Sequence, residues 1–119
     1  MDDASSEGRE VRAARNQALF RLVNEKLKAL NEGFEPLLSD FAVACECSEA
    51  ACVQMLSIES VAYEEVRRNP RTFVVAIGHV DPLVERAVSE TDRYVIVENI
   101  GVAARVAEET DPRAAPSGS

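Results

Sequence analysis

The chain has no basic excess, no long apolar run and no cysteine outside one eight-residue stretch, and each absence removes a class of protein. No segment approaches the roughly 20 consecutive apolar residues needed to span a bilayer. The opening "MDDASSEGRE" is acidic and polar where a secretory signal is basic and then apolar. With a formal net charge of −8, the surface as a whole is no platform for phosphates, which call for clustered Lys and Arg. Neither a phosphate-binding glycine loop nor a dinucleotide fingerprint is present, and no internal repeat is visible. The aromatic residues Phe34, Phe41, Phe73, Tyr63 and Tyr94 sit in apolar surroundings, not among basic residues as in a base-stacking surface. At 119 residues there is room for one core. The location these features predict is the cytoplasm, where thiols stay reduced and neighbouring cysteines serve metal or redox chemistry more often than structural disulfides.

What is present is unevenly distributed. From Arg9 to Glu32 six basic residues face three acidic ones, a local +3 that leaves −11 for the rest. This segment reads as a solvated helix face leaning on an acidic body, or as a surface that meets an anionic partner. Its apolar positions Leu19, Val23, Leu27, Leu30, Phe34 and Leu37 recur at spacings of three and four, with Ala14 and Ala18 near the same stripe, which predicts one long helix. Gly33 weakens it and Pro36 breaks or kinks it, so an end near Asn31 is expected. The stripe is expected to pack on the protein's own sheet, or else to pair with a protein partner or a second copy as a short coiled coil.

The overall division is a loose N-terminus over 1–8, a long helix over 9–38, a small α+β domain over 39–110 and a loose tail over 111–119. Within the α+β part, "FAVAC" reads as a buried strand and "CVQMLSI" as its return. "SIESVAYEEVRRNP" reads as a helix capped by Ser57, with Val61, Ala62, Val66 and Tyr63 inward and Asn69-Pro70 as the stop. "RTFVVAI" is the strongest strand signal. Asp81-Pro82 reads as a helix opening, with Leu83, Val84, Ala87 and Val88 following. "RYVIVEN" completes the strands, and "GVAARVAEET" predicts a last helix. The fold class is therefore α+β, a long N-terminal helix followed by a small mixed sheet with covering helices and a cysteine knuckle.

The chemistry concentrates in "CECSEAAC", which holds Cys45, Cys47 and Cys52, and in "GHVDP", which holds the only histidine, His79. A tetrahedral zinc site needs four thiolate or imidazole ligands, and the chain supplies one such set. On an extended strand, side chains two apart lie about 6 to 7 Å from each other, so Cys45 and Cys47 share an ion only if the backbone turns between them. The same residues allow an iron–sulfur cluster, although their spacing matches no common ferredoxin pattern. They also allow a thiol redox sensor in which Cys47 and Cys52 form a disulfide. A cysteine nucleophile beside His79, its ring oriented by Asp81, is a further possibility, but no oxyanion hole is recognisable. Burial of the thiols as simple core residues is the plain alternative. The pairs Glu64-Glu65 and Glu108-Glu109 read as surface charge.

The Cys-x-Cys-x4-Cys spacing resembles the zinc-binding tail that follows the catalytic domain of SET-type lysine methyltransferases, where a fourth ligand comes from elsewhere in the chain. The likeness covers eight residues, lacks the usual glycine and arginine around the cysteines, and implies a metal knuckle without the catalysis. More broadly, "VRAARNQALFRLVNEKL", "FAVACECSEAACVQML", "YEEVRRNPRTFVVAIGHVDPLVERAV" and "TDRYVIVENIG" resemble a group of short uncharacterised bacterial proteins from high-GC organisms. That resemblance implies that the cysteine turn and the GH loop belong together; it implies no activity, substrate or metal. The expectation is a small non-enzymatic protein-binding or regulatory domain with structural zinc on Cys45, Cys47, Cys52 and His79.

Overall fold

The computed structural model describes residues 6–34 and 40–114. Helix α1 (Ser6–Phe34) is followed by β1 (Asp40–Ala44), β2 (Met55–Glu59), α2 (Ser60–Arg67), β3 (Thr72–Val75), β4 (Glu85–Glu90), β5 (Val95–Asn99) and α3 (Gly101–Glu109). The α+β order with a long first helix is as expected. The strands pair antiparallel throughout and form two sheets in place of one mixed sheet: a β1–β2 hairpin, and a three-stranded sheet in the order β3-β5-β4.

The hairpin alternates by the two-residue period of a strand. Phe41, Val43, Leu56 and Ile58 point inward, while Ala42, Met55 and Ser57 face solvent. The inward set joins Tyr63, Phe73, Val74, Val75, Val95 and Val97 in one core, to which Cys45 and Cys47 also belong. Phe41 and Tyr63 meet edge to face, with ring centroids 5.7 Å apart.

Several local expectations give way to longer-range contacts. Helix α1 begins at Ser6, inside the stretch expected to be loose, and runs through Asn31 to Phe34. The Phe34 side chain, Pro36, Leu37 and Leu38 lie outside the described residues. The stripe expected to face inward does not: Leu19, Val23 and Leu30 are exposed and Leu27 is half-buried. The buried face is Ala13, Ala14, Gln17, Arg21, Asn24 and Lys28. Polar side chains can occupy it because each finds partners. Arg21 donates to the carbonyls of Pro70 and Ala107 at 2.7 and 2.9 Å and lies over the Phe73 ring. Lys28 pairs with Glu32 and Glu64.

Ser57 belongs to β2 instead of capping α2, whose N-cap is Glu59 with no side-chain cap bond. Tyr63, Val66 and Arg67 are the buried residues of α2, and Val61 is exposed. The helix expected from Asp81-Pro82 is a single turn, with the amides of Val84 and Glu85 both donating to Asp81 O, before the chain becomes β4 on the open edge of β5. Asp111 and Arg113, expected in a loose tail, are tied down by ion pairs to Arg67, Glu25 and Glu64. No helix among the described residues is long and apolar enough to cross a membrane.

Candidate metal centre

The β1–β2 connection carries all three cysteines. Beyond Ala44 the pairing continues for one more bond, the Cys45 amide to Gln54 O at 3.0 Å. The next amide, from Glu46, donates instead to Val74 O of β3 at 2.8 Å, and the Val74 amide donates back to the Glu46 carboxylate at 3.0 Å. The tip of the hairpin is thereby fastened to the free edge of β3. Because this segment is extended, Cys45 and Cys47 turn to one side and Glu46 to the other. A turn closed by the Cys52 amide on Glu49 O, at 3.0 Å, brings the third cysteine back.

His79 arrives from the other side of the same edge. Directly after β3, the His79 amide donates to Ala76 O at 3.0 Å. Gly78 occupies the third position of that turn with φ of 88°, the left-handed value a type II turn requires there. The resulting loop places His79 Nδ1 3.5 Å from Cys45 Sγ and 3.7 Å from Cys52 Sγ. Ligand atoms of Cys45, Cys47, Cys52 and His79 all lie within 4.8 Å of one another. A tetrahedral ion with bonds near 2.3 Å to sulfur and 2.0 Å to nitrogen sets its ligand atoms about 3.5 to 3.8 Å apart; the two His79–cysteine distances match that spacing, and the four donors together are compatible with a metal ion. The sequence called for a backbone turn between Cys45 and Cys47; the structure instead brings the two sulfurs together without a hydrogen-bonded turn between them, at the point where the backbone changes partner from β2 to β3.

Groups around these four side chains also suit a thiolate centre. The Ala76 amide donates to Cys45 Sγ at 3.1 Å, and the Glu49 amide donates to the Cys47 sulfur. Such N–H donors stabilise negative sulfur and orient it. Ser48 Oγ donates to Asp81 Oδ2 at 2.7 Å, bracing the cysteine loop against the histidine loop, and Asn16 of α1 donates to Ser48 O at 2.8 Å. Asp81 does not orient the His79 ring: its other oxygen accepts from the Leu83 amide.

Burial pushes the Cys45 thiol well above the usual thiol range, with the neighbouring sulfurs pushing it further, and burial raises the Cys47 thiol as well. All three cysteines are free of disulfides; Cys45 and Cys47 are buried, whereas Cys52 and His79 are half-buried. Two shallow clefts of about 360 and 390 Å³ flank the centre, and His79 and Glu49 line both.

Sequence reasoning missed Glu46. It is fully buried between two ligand positions, and its carboxylate accepts from Asn24 Nδ2 at 2.8 Å, the Tyr63 hydroxyl at 2.9 Å and the Val74 amide. Burial raises its pKa, against these three hydrogen bonds and the nearby Arg67 charge. The available signal was an acidic residue enclosed in the apolar run "FAVACEC", where a solvated charge has no place.

Compared with known proteins, the chain matches no family model, no curated protein sequence and no solved structure.

Proposed function

We propose that the protein is a small, non-enzymatic binding domain whose hairpin tip is held by zinc through Cys45, Cys47, Cys52 and His79. The observation that carries this reading is the convergence of four soft or borderline donors within 4.8 Å, from a hairpin loop and a separate turn. Four protein ligands fill a tetrahedron and leave no position for a substrate, the pattern of structural zinc. The metal would add stability where a domain of this size has limited apolar area to bury. Free thiols of this kind are in keeping with a reducing compartment such as the cytoplasm, where they would stay available as ligands.

A metal-free redox sensor on the same cysteines fits less well. Thiols pushed up by burial are protonated at neutral pH, and the thiolate is the form that peroxide attacks.

The test is elemental analysis of protein purified without an affinity-metal column, together with a thiol count before and after chelation. One zinc per chain, with thiols that become reactive only when a chelator is added, is expected. Replacing Cys47 with Ser should remove the metal and lower Tm. Metal-free protein whose thiols react freely in the native state would overturn the assignment.

A further inference from the structure

The outward face of α1 carries exposed apolar side chains together with the exposed cations Arg15 and Lys26. Leu19, Leu22, Val23 and Leu30 are between 43% and 63% exposed along less than four turns of helix. Monomeric proteins scatter such residues singly, and a contiguous row marks a contact surface. The row has relief beside it: a groove of about 370 Å³ runs between α1 and the end of α3, lined by Arg15, Ala18, Leu19, Leu22 and Thr110. Leu19 also walls a smaller hollow of about 100 Å³ that reaches Ala50 on the cysteine loop.

The one charged residue among those that line the groove, Arg15, is basic. Arg15 and Lys26 flank the leucines, both are exposed, and neither has a partner among the described residues. The acidic residue nearest in sequence, Glu25, is turned inward onto Arg67 and Arg113. A protein of net charge −8 thus presents a leucine-lined groove with a cation on its wall, Arg15, and a second, Lys26, exposed further along the same helix.

We infer that this groove docks an acidic amphipathic helix of another protein, its leucines seated beside Leu19 and Leu22 and its carboxylates on Arg15 and Lys26. An amphipathic helix is the segment that offers apolar anchors at spacings of three, four and seven along such a groove. Charge decides among the possible occupants. A second copy would set Arg15 and Lys26 against the same cations, and an anionic bilayer would meet a chain of net charge −8 across a concave, not a protruding, apolar surface. The inference rests on the binding half of the proposed function and not on the metal, whose content is measured separately on the same samples.

The probe is a synthetic peptide about five turns long, with leucines on one face and glutamates on the others, compared with its lysine counterpart and a scramble. Titrated by fluorescence anisotropy, the acidic peptide should bind at least about tenfold more tightly than either control. Leu19→Ser with Leu22→Ser should abolish binding. Arg15→Glu with Lys26→Glu should reverse the preference toward the lysine peptide, with Tm unchanged because all four positions are exposed.

Equal affinity for acidic and lysine peptides, or no binding by zinc-loaded protein, would overturn the docking site while leaving the metal centre standing. A dimer in sedimentation that Leu19→Ser dissolves would reassign the face to a second copy. Flotation with phosphatidylserine vesicles would reassign it to a membrane. Metal-free protein that still discriminates the peptides would retain the groove and overturn the zinc reading alone.

Discussion

The Glu46 carboxylate accepts a hydrogen bond from the Tyr63 hydroxyl at 2.9 Å, on the side of the chain opposite the sulfurs of Cys45 and Cys47. The residue between the two cysteines thereby reaches α2 through Tyr63, α1 through Asn24 and β3 through Val74. The cysteine loop is anchored from behind by one buried acid.

Removing that acid strands the Tyr63 hydroxyl and the Val74 amide and leaves Asn24 Nδ2 with Ala44 O alone. Glu46→Ala should destabilise the fold by about 3 to 5 kcal/mol, because each stranded polar group keeps its desolvation penalty. Glu46→Gln preserves shape but turns an amide donor toward other donors, and should lose about 1 to 2 kcal/mol. Urea denaturation of the three proteins in excess zinc checks the order. Equal stability of Glu46→Ala and wild type would refute the anchoring role.

The turn that delivers His79 depends on Gly78. At φ of 88° an L side chain is strained by its own backbone even though no neighbouring atom lies within 4 Å of the added Cβ. Gly78→Ala should therefore lower stability by about 1 to 2 kcal/mol and weaken zinc binding together, since the strain is relieved by withdrawing the ligand. Gly78→Asn, which tolerates positive φ better, should recover part of both. Thermal melts and zinc competition measured side by side would expose a mismatch between the two effects.

How much of this was legible in sequence depends on how far away each residue's partners lie. The strand β3 and the helix α3 follow from local signals, unbroken β-branched residues in one and helical spacing in the other. The cluster of Cys45, Cys47, Cys52 and His79 was legible because three cysteines and one histidine are rare and chemically specific. The orientation of α1 was not. Leu19, Val23 and Leu30 have helical spacing, but so do Gln17, Arg21, Asn24 and Lys28, and the second set faces inward. Its decisive partners, Glu85, Pro70, Glu46 and Glu64, stand elsewhere in the chain, and no local period reveals them. Strand β4 was misread for a related reason. Asp81-Pro82 does open a helical turn, but from Arg86 to Glu90 the strand is exposed on both faces and shows no alternation to read.

Zinc uptake should be strongly pH-dependent. Burial holds the Cys45 and Cys47 thiols protonated at neutral pH, so each must surrender a proton when it becomes a ligand. Loading the apo protein with zinc should release at least two protons, and apparent affinity should rise about a hundredfold per pH unit between pH 6 and about 8. A weakly buffered titration with an indicator dye counts the protons. Release of fewer than one per zinc would exclude these two thiols from the ligand set.

Glu85 gives the fold a second, metal-independent pH response. It is buried, accepts hydrogen bonds from Gln17 at 2.5 Å and from the Asp81 amide at 2.8 Å, and sits near the Asp81 charge. Burial raises its pKa to about 7, against Gln17 and the Asp81 amide, which pull it down. A folded carboxyl above its unfolded value binds more protons than the unfolded chain between pH 4.5 and 7, so its contribution to stability grows as pH falls through that window. The full swing is about 3 kcal/mol. Glu64 acts in the opposite sense: hydrogen bonding to Arg113 lowers it to about 2, so its contribution is present above 4.5 and is lost as pH falls toward 2. Glu64 is partly exposed, and solvent screening keeps that term small. Glu85→Gln should therefore be more stable than wild type at pH 8, with the advantage shrinking toward pH 5. Zinc loss in acid affects both proteins and cancels in their difference. Denaturation curves for the pair across pH 5 to about 8 give that difference directly, and a constant gap would show that Glu85 does not titrate in this range.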